Sequence, residues 1–287
     1  MEQGEFALSD REFNRVKARI YAEAGISLSD AKRTLVISRL GKLVRGLRLD
    51  SFDAYLDYLE RAATPAEGQD FVNALTTNLT RFWREDHHFA HLRTYVAQLM
   101  QQRPRVGLNG RPKLRIWSAG CSTGQEPYTI ALDLLAAFPD LRRWDFRILA
   151  TDIDTNVVAK AAAGIYPLGE LNGLSQQRAD LFEPAGAGHV RIPAAVRELI
   201  AFKQLNLIDA TWPMRGPFDA IFCRNVAIYF DKKTQGQLFA RLGAILAPEG
   251  FLYIGHSENL GAGSENFRLV GKTVYQARAQ HNARDAA

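Results

Sequence analysis

Cysteine is scarce in this sequence, which has only Cys121 and Cys223 among its 287 residues. Domains that depend on disulfides are rich in cysteine, so the count excludes a disulfide framework and favours a reducing compartment. Long apolar runs are missing as well, because no stretch of about 18 apolar residues could span a membrane. The first residues lack the basic region and apolar core of a signal peptide. We therefore expect a cytoplasmic protein without direct membrane insertion.

Common signatures of phosphate and metal binding are also absent. The glycine-rich turn at residues 118–124 is not followed by the lysine that a P-loop needs, and the dinucleotide pattern G-x-G-x-x-G does not occur. The pattern HExxH is missing, and no cysteine lies near His87, His88 and His91. We therefore expect no metal site.

The glycine-rich turn nevertheless joins an apolar run, residues 114–117, to a helical pattern. Strand, turn and helix form the first unit of a nucleotide-type α/β fold. Gly120 and Gly124 would let the backbone approach a ligand. Glu126, at the helix entrance, would repel a pyrophosphate and attract a cation. S-adenosylmethionine fits such a site, because it carries a sulfonium and an amino group but no phosphate. The alternative is a glutamate that only complements the helix dipole.

The chain divides by its periodicity. Residues 1–75 show helical spacing throughout and predict a helical domain. Residues 76–113 form a linking segment and a helix. Residues 114–287 alternate strands and helices, with an expected antiparallel strand at 273–277 at the end of the sheet. Short apolar runs separated by glycine and proline interrupt the alternation at residues 165–205, which predicts a small antiparallel β insertion.

The second predicted helix carries six cations and no acidic residue between Asp30 and Asp50. We call residues 30–48 the cationic segment. Exposed helices usually mix charges of both signs, so this segment is expected to meet an acidic partner, with a solvated face or RNA as the alternatives. Its apolar positions should pack on the N-terminal helices: Leu40, Leu43, Val44 and Leu47. Several of its cations should then face outward: Lys32, Arg33, Arg39, Lys42, Arg45 and Arg48.

Several motifs occur in a fixed order along the chain. They are T-N-L-T at residues 77–80, F-W-R at 82–84, W-S-A-G-C-S-T-G-Q-E-P-Y at 117–128, A-T-D-I-D at 150–154, F-C-R-N-V-A-I-Y-F at 222–230 and G-H-S-E at 255–258. Their order and spacing resemble the CheR-type chemoreceptor glutamate methyltransferases over nearly the whole chain. The resemblance implies a helical N-terminal domain and a class I S-adenosylmethionine-dependent methyltransferase sheet of the α/β class, with an inserted antiparallel β-subdomain.

The resemblance also implies the reaction. The cofactor S-adenosylmethionine would give its methyl group to glutamates on cytoplasmic helices of chemoreceptors, leaving S-adenosylhomocysteine, and the cationic segment would bind the receptor. Arg84 and Tyr229 would take part in the reaction. Ala227 stands where a larger apolar residue is frequent in the family, which should alter packing only. The implied cofactor contacts are Asn78, Thr80, Arg84, Glu126, Asp152, Asn206, Leu207, Arg224 and Asn225.

Asp152 is also indicated by its place, because an acidic residue at the tip of the second strand binds ribose hydroxyls in such folds. Two other functions remain open. A nucleic-acid methyltransferase would suit the cationic segment, but amino-group enzymes often carry Asn/Asp-Pro-Pro-Tyr/Phe where this chain has R-N-V-A at residues 224–227. A regulator that binds the cofactor without catalysis would not need Arg84 and Tyr229.

Three expectations concern partners. Family members that bind a receptor's C-terminal pentapeptide have a longer loop in the inserted subdomain than residues 184–189 provide here. We therefore expect a methyltransferase that does not need this tether. We also expect a monomer that does not bind nucleic acid.

Overall fold

The structure is a computed structural model that describes residues 7–102, 106–107 and 110–278. Its N-terminal part contains the helices α1 (Asp10–Ala24), α2 (Arg33–Gly46), α3 (Phe52–Arg61) and α4 (Pro65–Leu75). Ser9 and Thr64 begin α1 and α4 with capping boxes, because each hydroxyl accepts a backbone N–H that would otherwise lack a partner. Gly25 ends α1 in the left-handed conformation that glycine adopts most easily.

The apolar faces of these four helices form a core of their own. Leu40 and Val44 of α2 are fully buried in it, and Leu43 and Leu47 pack against it while half-buried. The predicted packing of the cationic segment is therefore confirmed.

The remaining chain forms an α/β domain. Its strands are β1 (Lys113–Ala119), β2 (Asp145–Asp152), β3 (Ile165–Pro167), β4 (Glu183–Pro184), β5 (His189–Arg191), β6 (Ile200–Gln204), β7 (Phe218–Cys223), β8 (Leu246–Ile254), β9 (Phe267–Gly271) and β10 (Val274–Ala277). Its helices are α5 (His87–Gln101), α6 (Gln125–Ala137), α7 (Thr155–Ala163), α8 (Gln176–Ala179), α9 (Ala194–Arg197) and α10 (Lys232–Ala244). Seven of the strands make one sheet in the order β6-β2-β1-β7-β8-β10-β9.

The first five strands of that order run parallel, and β10 and β9 are antiparallel to their neighbours. The strand β7 is buried at every position, as expected for a central parallel strand covered on both faces. Cys121 and Cys223, near the ends of the adjacent strands β1 and β7, are buried in apolar clusters and serve packing, as the sequence predicted.

Two expectations about strands need correction. The insertion is a three-stranded antiparallel sheet in the order β3-β5-β4, but residues 200–204 do not belong to it. They form β6, which pairs in parallel with β2, and an apolar run of that length has the same sequence pattern in either arrangement. The last strand β10 is antiparallel as predicted, yet β9 lies outside it at the sheet edge.

The helical part contacts the α/β domain beside the carboxyl ends of the parallel strands. The Ser27 N–H donates to the Tyr229 carbonyl at 2.8 Å, and the Asn206 amide donates to the Glu23 carbonyl at 2.7 Å. Gly25 packs so closely that an added Cβ would lie 2.8 Å from a methyl group of Ile208. Among the described helices, none has the length and apolar character needed to cross a membrane.

Candidate active site

A cleft of about 320 Å³ lies between the helical part and the carboxyl ends of the parallel strands. Open α/β sheets bind ligands at this edge, and the volume suits a small molecule. One side of the cleft comes from the ends of β1, β2, β6 and β7, and the other from residues 24, 26 and 75–81. Every residue assigned to the cofactor or the reaction lines it: Asn78, Thr80, Arg84, Glu126, Asp152, Asn206, Leu207, Arg224, Asn225 and Tyr229.

The glycine-rich turn begins the cleft at Gly120. This glycine has φ 89°, and a Cβ on it would lie 2.3 Å from a methyl group of Val226. Gly124 differs from the prediction, because it does not line the cleft. A Cβ there would lie 2.8 Å from the Tyr166 hydroxyl, so Gly124 makes room for that side chain instead of a ligand.

Asp152, the last residue of β2, presents its carboxylate to the cleft. One oxygen accepts the Ser122 N–H at 2.8 Å and the other accepts the Asp154 N–H at 3.0 Å. Burial raises the pKa of Asp152, and these backbone donors oppose that shift. The carboxylate is therefore fixed in orientation by the backbone of both adjoining turns.

Arg224 is a buried cation between two carboxylates, with only 2 % of its side chain exposed. Its Nη1 donates to Glu126 Oε2 at 3.2 Å, and its Nε donates to Glu85 Oε2 at 3.4 Å. It also donates to the Arg84 carbonyl. Glu126 accepts a second hydrogen bond, from the Ser118 hydroxyl at 2.7 Å. The guanidinium thus organises two acidic side chains besides lining the cleft.

The two carboxylates respond differently to this cation. Burial raises the pKa of Glu126, although Arg224 and Ser118 oppose it. Burial also acts on Glu85, but there Arg224 and two hydrogen bonds from His256 prevail and lower the pKa to about 2. Glu85 is therefore ionised at neutral pH. The sequence analysis did not assign Glu85 to the site, because no motif contains this residue.

Glu258 holds the loop that carries Arg224, Asn225 and Tyr229. Its carboxylate accepts the N–H groups of Asn225 at 2.8 Å, Val226 at 3.0 Å and Ile228 at 3.2 Å, and also that of Gly255. A buried carboxylate that accepts several backbone donors fixes a loop strongly. Residues 255–258 were recognised as a motif, but this positioning role was not predicted.

Gly255 is required by the same loop. A Cβ at this position would lie 2.4 Å from the Asn225 amide nitrogen, and Asn225 itself adopts φ 58°. Any larger residue would displace Asn225 from the cleft.

The opposite wall is tied to the α/β domain by Asp154. This buried carboxylate accepts the Thr76 hydroxyl at 2.7 Å and the Asn78 amide at 2.8 Å. The Asn78 carbonyl accepts the Ser122 hydroxyl at 3.0 Å. The apolar residues Ala24 and Ile26, which sequence reasoning did not assign, also line this wall.

Arg84 and Tyr229, the two residues assigned to the reaction, are both half-buried in the cleft. Arg84 donates from Nη1 to the Leu79 carbonyl at 2.8 Å. The Tyr229 backbone is fixed by bonds to Ser27 and Val226, and its ring packs against the helical core. Within the described ranges, its hydroxyl has no hydrogen-bond partner in the protein, so it is free to serve a ligand.

The histidines serve packing and hydrogen bonds. His88 Nε2 lies 3.0 Å from the Thr273 hydroxyl, and His91 Nδ1 lies 3.0 Å from the Tyr253 hydroxyl. Burial lowers the pKa of both, that of His88 to about 3. Across the residues that the structure describes, no group of three or more potential metal ligands occurs.

The cations of the cationic segment differ in exposure. Arg33 donates to Asp10 at 2.6 Å, and Arg39 donates to the Ala74 and Thr76 carbonyls. Both are half-buried and bonded within the helical domain, so several of the six cations face outward, as predicted, but these two do not. The exposed ones are Lys32, Lys42, Arg45 and Arg48.

Comparison with known families accounts for almost all of this chain. The family described as "CheR methyltransferase, SAM binding domain" matches residues 78–276, and "CheR methyltransferase, all-alpha domain" matches residues 11–76. The chain belongs to the CheR methyltransferase family. Members of this family are S-adenosylmethionine-dependent methyltransferases, so the chain is an enzyme of that class with S-adenosylmethionine as its cofactor.

Curated relatives match over most of their length. The chain is 46% identical over 278 residues to "Chemotaxis protein methyltransferase 2" of Pseudomonas aeruginosa, covering 94% of each chain. It is 45% identical over 276 residues to "Chemotaxis protein methyltransferase" of Salmonella typhimurium, covering 94% of this chain and 91% of the relative. For the relative of the same name from Escherichia coli the identity is 43% over 276 residues, with the same coverage.

The cleft of this CheR family member fits the cofactor by its own chemistry. Two carboxylates, Glu126 and Asp152, line it together with apolar side chains and three arginines, of which Arg224 is paired with Glu126. The two carboxylates complement the ammonium, the sulfonium and the ribose hydroxyls of S-adenosylmethionine. Glu126 would hold the cationic end and Asp152 the ribose hydroxyls.

Replacement of Asp152 by alanine should weaken cofactor binding. Charge-assisted hydrogen bonds contribute ~1.5–3 kcal/mol each, so the dissociation constant of S-adenosylhomocysteine should rise at least ~10-fold by calorimetry. The variant Asp140→Ala removes an exposed carboxylate outside the cleft and should bind normally. Unchanged affinity in a folded Asp152→Ala protein would show that this carboxylate has no role in binding.

Proposed function

We propose that the chain transfers the methyl group of S-adenosylmethionine to glutamate side chains of chemoreceptors in the cytoplasm, forming methyl esters. The supporting observation is that Arg84 and Tyr229 line the same cleft as the two carboxylates suited to the cofactor. The relatives' names, "Chemotaxis protein methyltransferase", support a chemotactic substrate. The choice of a glutamate as the acceptor, and its location on a receptor helix, come from the family resemblance.

The reaction needs alignment more than proton transfer. When bound, S-adenosylmethionine would supply a methyl carbon that a carboxylate oxygen attacks in line, while the carbon–sulfur bond breaks and S-adenosylhomocysteine leaves as the neutral thioether. A glutamate has an ordinary pKa near ~4.3, so it is already ionised at neutral pH and needs no general base. Alignment of two reactants contributes up to roughly 7–11 kcal/mol in favourable cases.

Arg84 and Tyr229 are the groups that would align the acceptor. A guanidinium can hold a carboxylate through paired N–H donors, and the Tyr229 hydroxyl can donate to the second oxygen. A clamp that is too tight would stabilise the reactants more than the transition state, so one cation and one neutral donor suit this step.

The test is transfer of a radiolabelled methyl group to purified receptor cytoplasmic fragments, with RNA as the competing acceptor. Base-labile incorporation into receptor and none into RNA is the expected result. Receptors with and without the C-terminal pentapeptide should be methylated equally, because the hairpin between β4 and β5 closes tightly through the Ala185 N–H to the His189 carbonyl. Tight binding of the isolated pentapeptide would contradict the proposed independence from the tether, and label in RNA alone would contradict the function.

The exposed cations of the cationic segment should steer the acidic receptor helix toward the cleft. Reversing two of them, Lys42→Glu with Arg48→Glu, should raise the receptor KM several-fold in low salt and leave S-adenosylhomocysteine affinity unchanged. The effect should shrink in high salt, because exposed charges are screened over ~10 Å at 0.1 M. Reversal of Arg142 and Arg143, exposed on the α/β domain, is the matched control. If the Lys42/Arg48 variant had the receptor KM of the wild type at low salt, the cationic segment would have no role in substrate recognition.

A further inference from the structure

Two exposed apolar side chains stand at the rim of the cleft. Leu79 is 82 % exposed and Ile228 is 47 % exposed, and both line the cleft. Leu79 is the most exposed large apolar side chain in the described part of the protein. Neither side chain is needed to bury the core, so their position at the mouth of a catalytic cleft suggests a partner.

Leu79 is held in place by its neighbours. The Asn78 amide is bound to Asp154 at 2.8 Å, and the Asn78 carbonyl accepts the Ser122 hydroxyl at 3.0 Å. The Leu79 carbonyl accepts Arg84 Nη1 at 2.8 Å. The backbone on both sides of the leucine is therefore held by hydrogen bonds, and its side chain is exposed to solvent.

Ile228 is fixed in the same way on the facing loop. Its N–H donates to Glu258 Oε1 at 3.2 Å, within the single helical turn Ala227–Tyr229. It directly precedes Tyr229, one of the two residues proposed to align the acceptor. The rim thus carries one exposed apolar residue with a hydrogen-bonded backbone beside each of them, since the Leu79 carbonyl accepts a hydrogen bond from Arg84.

The reach of the acceptor brings its backbone to this rim. A glutamate has only two methylene groups between its Cα and its carboxylate, so a carboxylate at Arg84 and Tyr229 draws the neighbouring backbone onto the mouth of the cleft. Exposed Arg81 lines the same mouth and complements an acidic segment. On a helix, the residues three and four positions from the glutamate share its face and contact whatever projects from the rim.

We propose that Leu79 and Ile228 are apolar anchors for the acceptor helix, which contact apolar side chains on the helix face that carries the methylated glutamate. This proposal rests on the proposed function, glutamate methylation of receptor helices. It gives the site a means of selecting among glutamates that the cationic segment, which recognises charge alone, does not have.

The first test measures receptor kinetics for Leu79→Ala and Ile228→Ala. Each should raise the receptor KM about 5-fold or more, because a contact that buries several methyl and methylene groups is lost. The S-adenosylhomocysteine dissociation constant should stay within about 2-fold of wild type, and the KM change should persist in high salt, unlike that of the cationic segment. Leu269→Ala, which truncates a leucine 60 % exposed on β9, is the matched control.

The second test detects the contact itself. Because Cys121 and Cys223 are buried, a benzophenone maleimide should label only the new thiol of Leu79→Cys. This probe should cross-link the receptor fragment on illumination, and the same probe on Leu269→Cys should not. Absence of the cross-link with an unchanged receptor KM would overturn the proposal, as would a parallel loss of S-adenosylhomocysteine affinity. Wild-type methylation of the receptor in the same assay separates failure of this proposal from failure of the proposed function.

Discussion

Replacement of Arg224 by methionine is expected to lower both stability and cofactor affinity more than any other single change in the cleft. Methionine fills similar space but leaves Glu85 and Glu126 without their shared cation. Removal of one partner from a buried ion pair costs about 3–5 kcal/mol, which urea denaturation at neutral pH would measure. Because both carboxylates and the Arg84 carbonyl are positioned by Arg224, S-adenosylhomocysteine affinity should fall by roughly 100-fold or more.

The stability lost in Arg224→Met should depend on pH in a definite direction. Burial would raise the pKa of Glu85, but Arg224 and two hydrogen bonds from His256 hold it at about 2, below its ordinary 4.5. A lowered pKa in the folded state contributes stability that is complete above pH ~4.5 and is lost as the pH falls toward ~2. Without Arg224 the pKa values of both carboxylates rise, so the folded variant binds protons more readily than the wild type. The difference in free energy of unfolding between the two should therefore narrow as the pH falls from 7 to about 5.

Matched variants separate charge from packing. Arg142→Met removes an exposed arginine and should alter neither the free energy of unfolding nor the affinity for S-adenosylhomocysteine. Adding Glu85→Gln and Glu126→Gln to Arg224→Met should restore much of the stability, because no unpaired charge stays buried, but not the cofactor affinity. If the difference in free energy of unfolding between the wild type and Arg224→Met stayed constant or widened at lower pH, Arg224 would act through its volume instead of its charge.

The sequence predicted the fold because its signals are local. The helical spacing of residues 1–75 and the strand-turn-helix unit at residues 114–132 depend on neighbouring residues only. The error at β6 has the opposite origin. An apolar run of five residues forms a strand in either sheet, and its pairing with β2 is decided by contacts far along the chain.

The motifs predicted the residues that line the cleft. They did not predict the residues that hold those side chains and loops in place. Glu85 and Glu258 act by accepting donors from residues more than thirty positions away, such as Arg224 for Glu85 and Asn225 for Glu258. Such bonds leave no periodic pattern in a single sequence. The same reason explains Arg39, which looked like an exposed cation but donates to carbonyls at the end of α4.

Replacement of Tyr229 by phenylalanine should slow methyl transfer by roughly 10- to 100-fold in kcat, less than the roughly 100- to 1000-fold loss seen when an oxyanion-hole donor is removed, because no strong negative charge develops in this reaction. Phenylalanine keeps the ring that packs on the helical core and the backbone bonds to Ser27 and Val226. Only the hydroxyl is lost, and within the described chain it has no hydrogen-bond partner. The free energy of unfolding should therefore remain nearly that of the wild type.

Tyr229→Phe should affect kcat and cofactor affinity differently, because the Tyr229 hydroxyl is proposed to contact the acceptor and not the cofactor. If the hydroxyl orients the acceptor carboxylate, its loss affects the reacting groups and lowers kcat, while S-adenosylhomocysteine affinity stays within about 2-fold of wild type. Tyr21→Phe is the matched control, because that phenol bonds Asp231 at 2.5 Å and does not line the cleft. Single-turnover rates with saturating receptor fragment would report the chemical step directly. Equal losses of affinity and rate in Tyr229→Phe would make Tyr229 a binding residue and leave Arg84 as the group that aligns the acceptor.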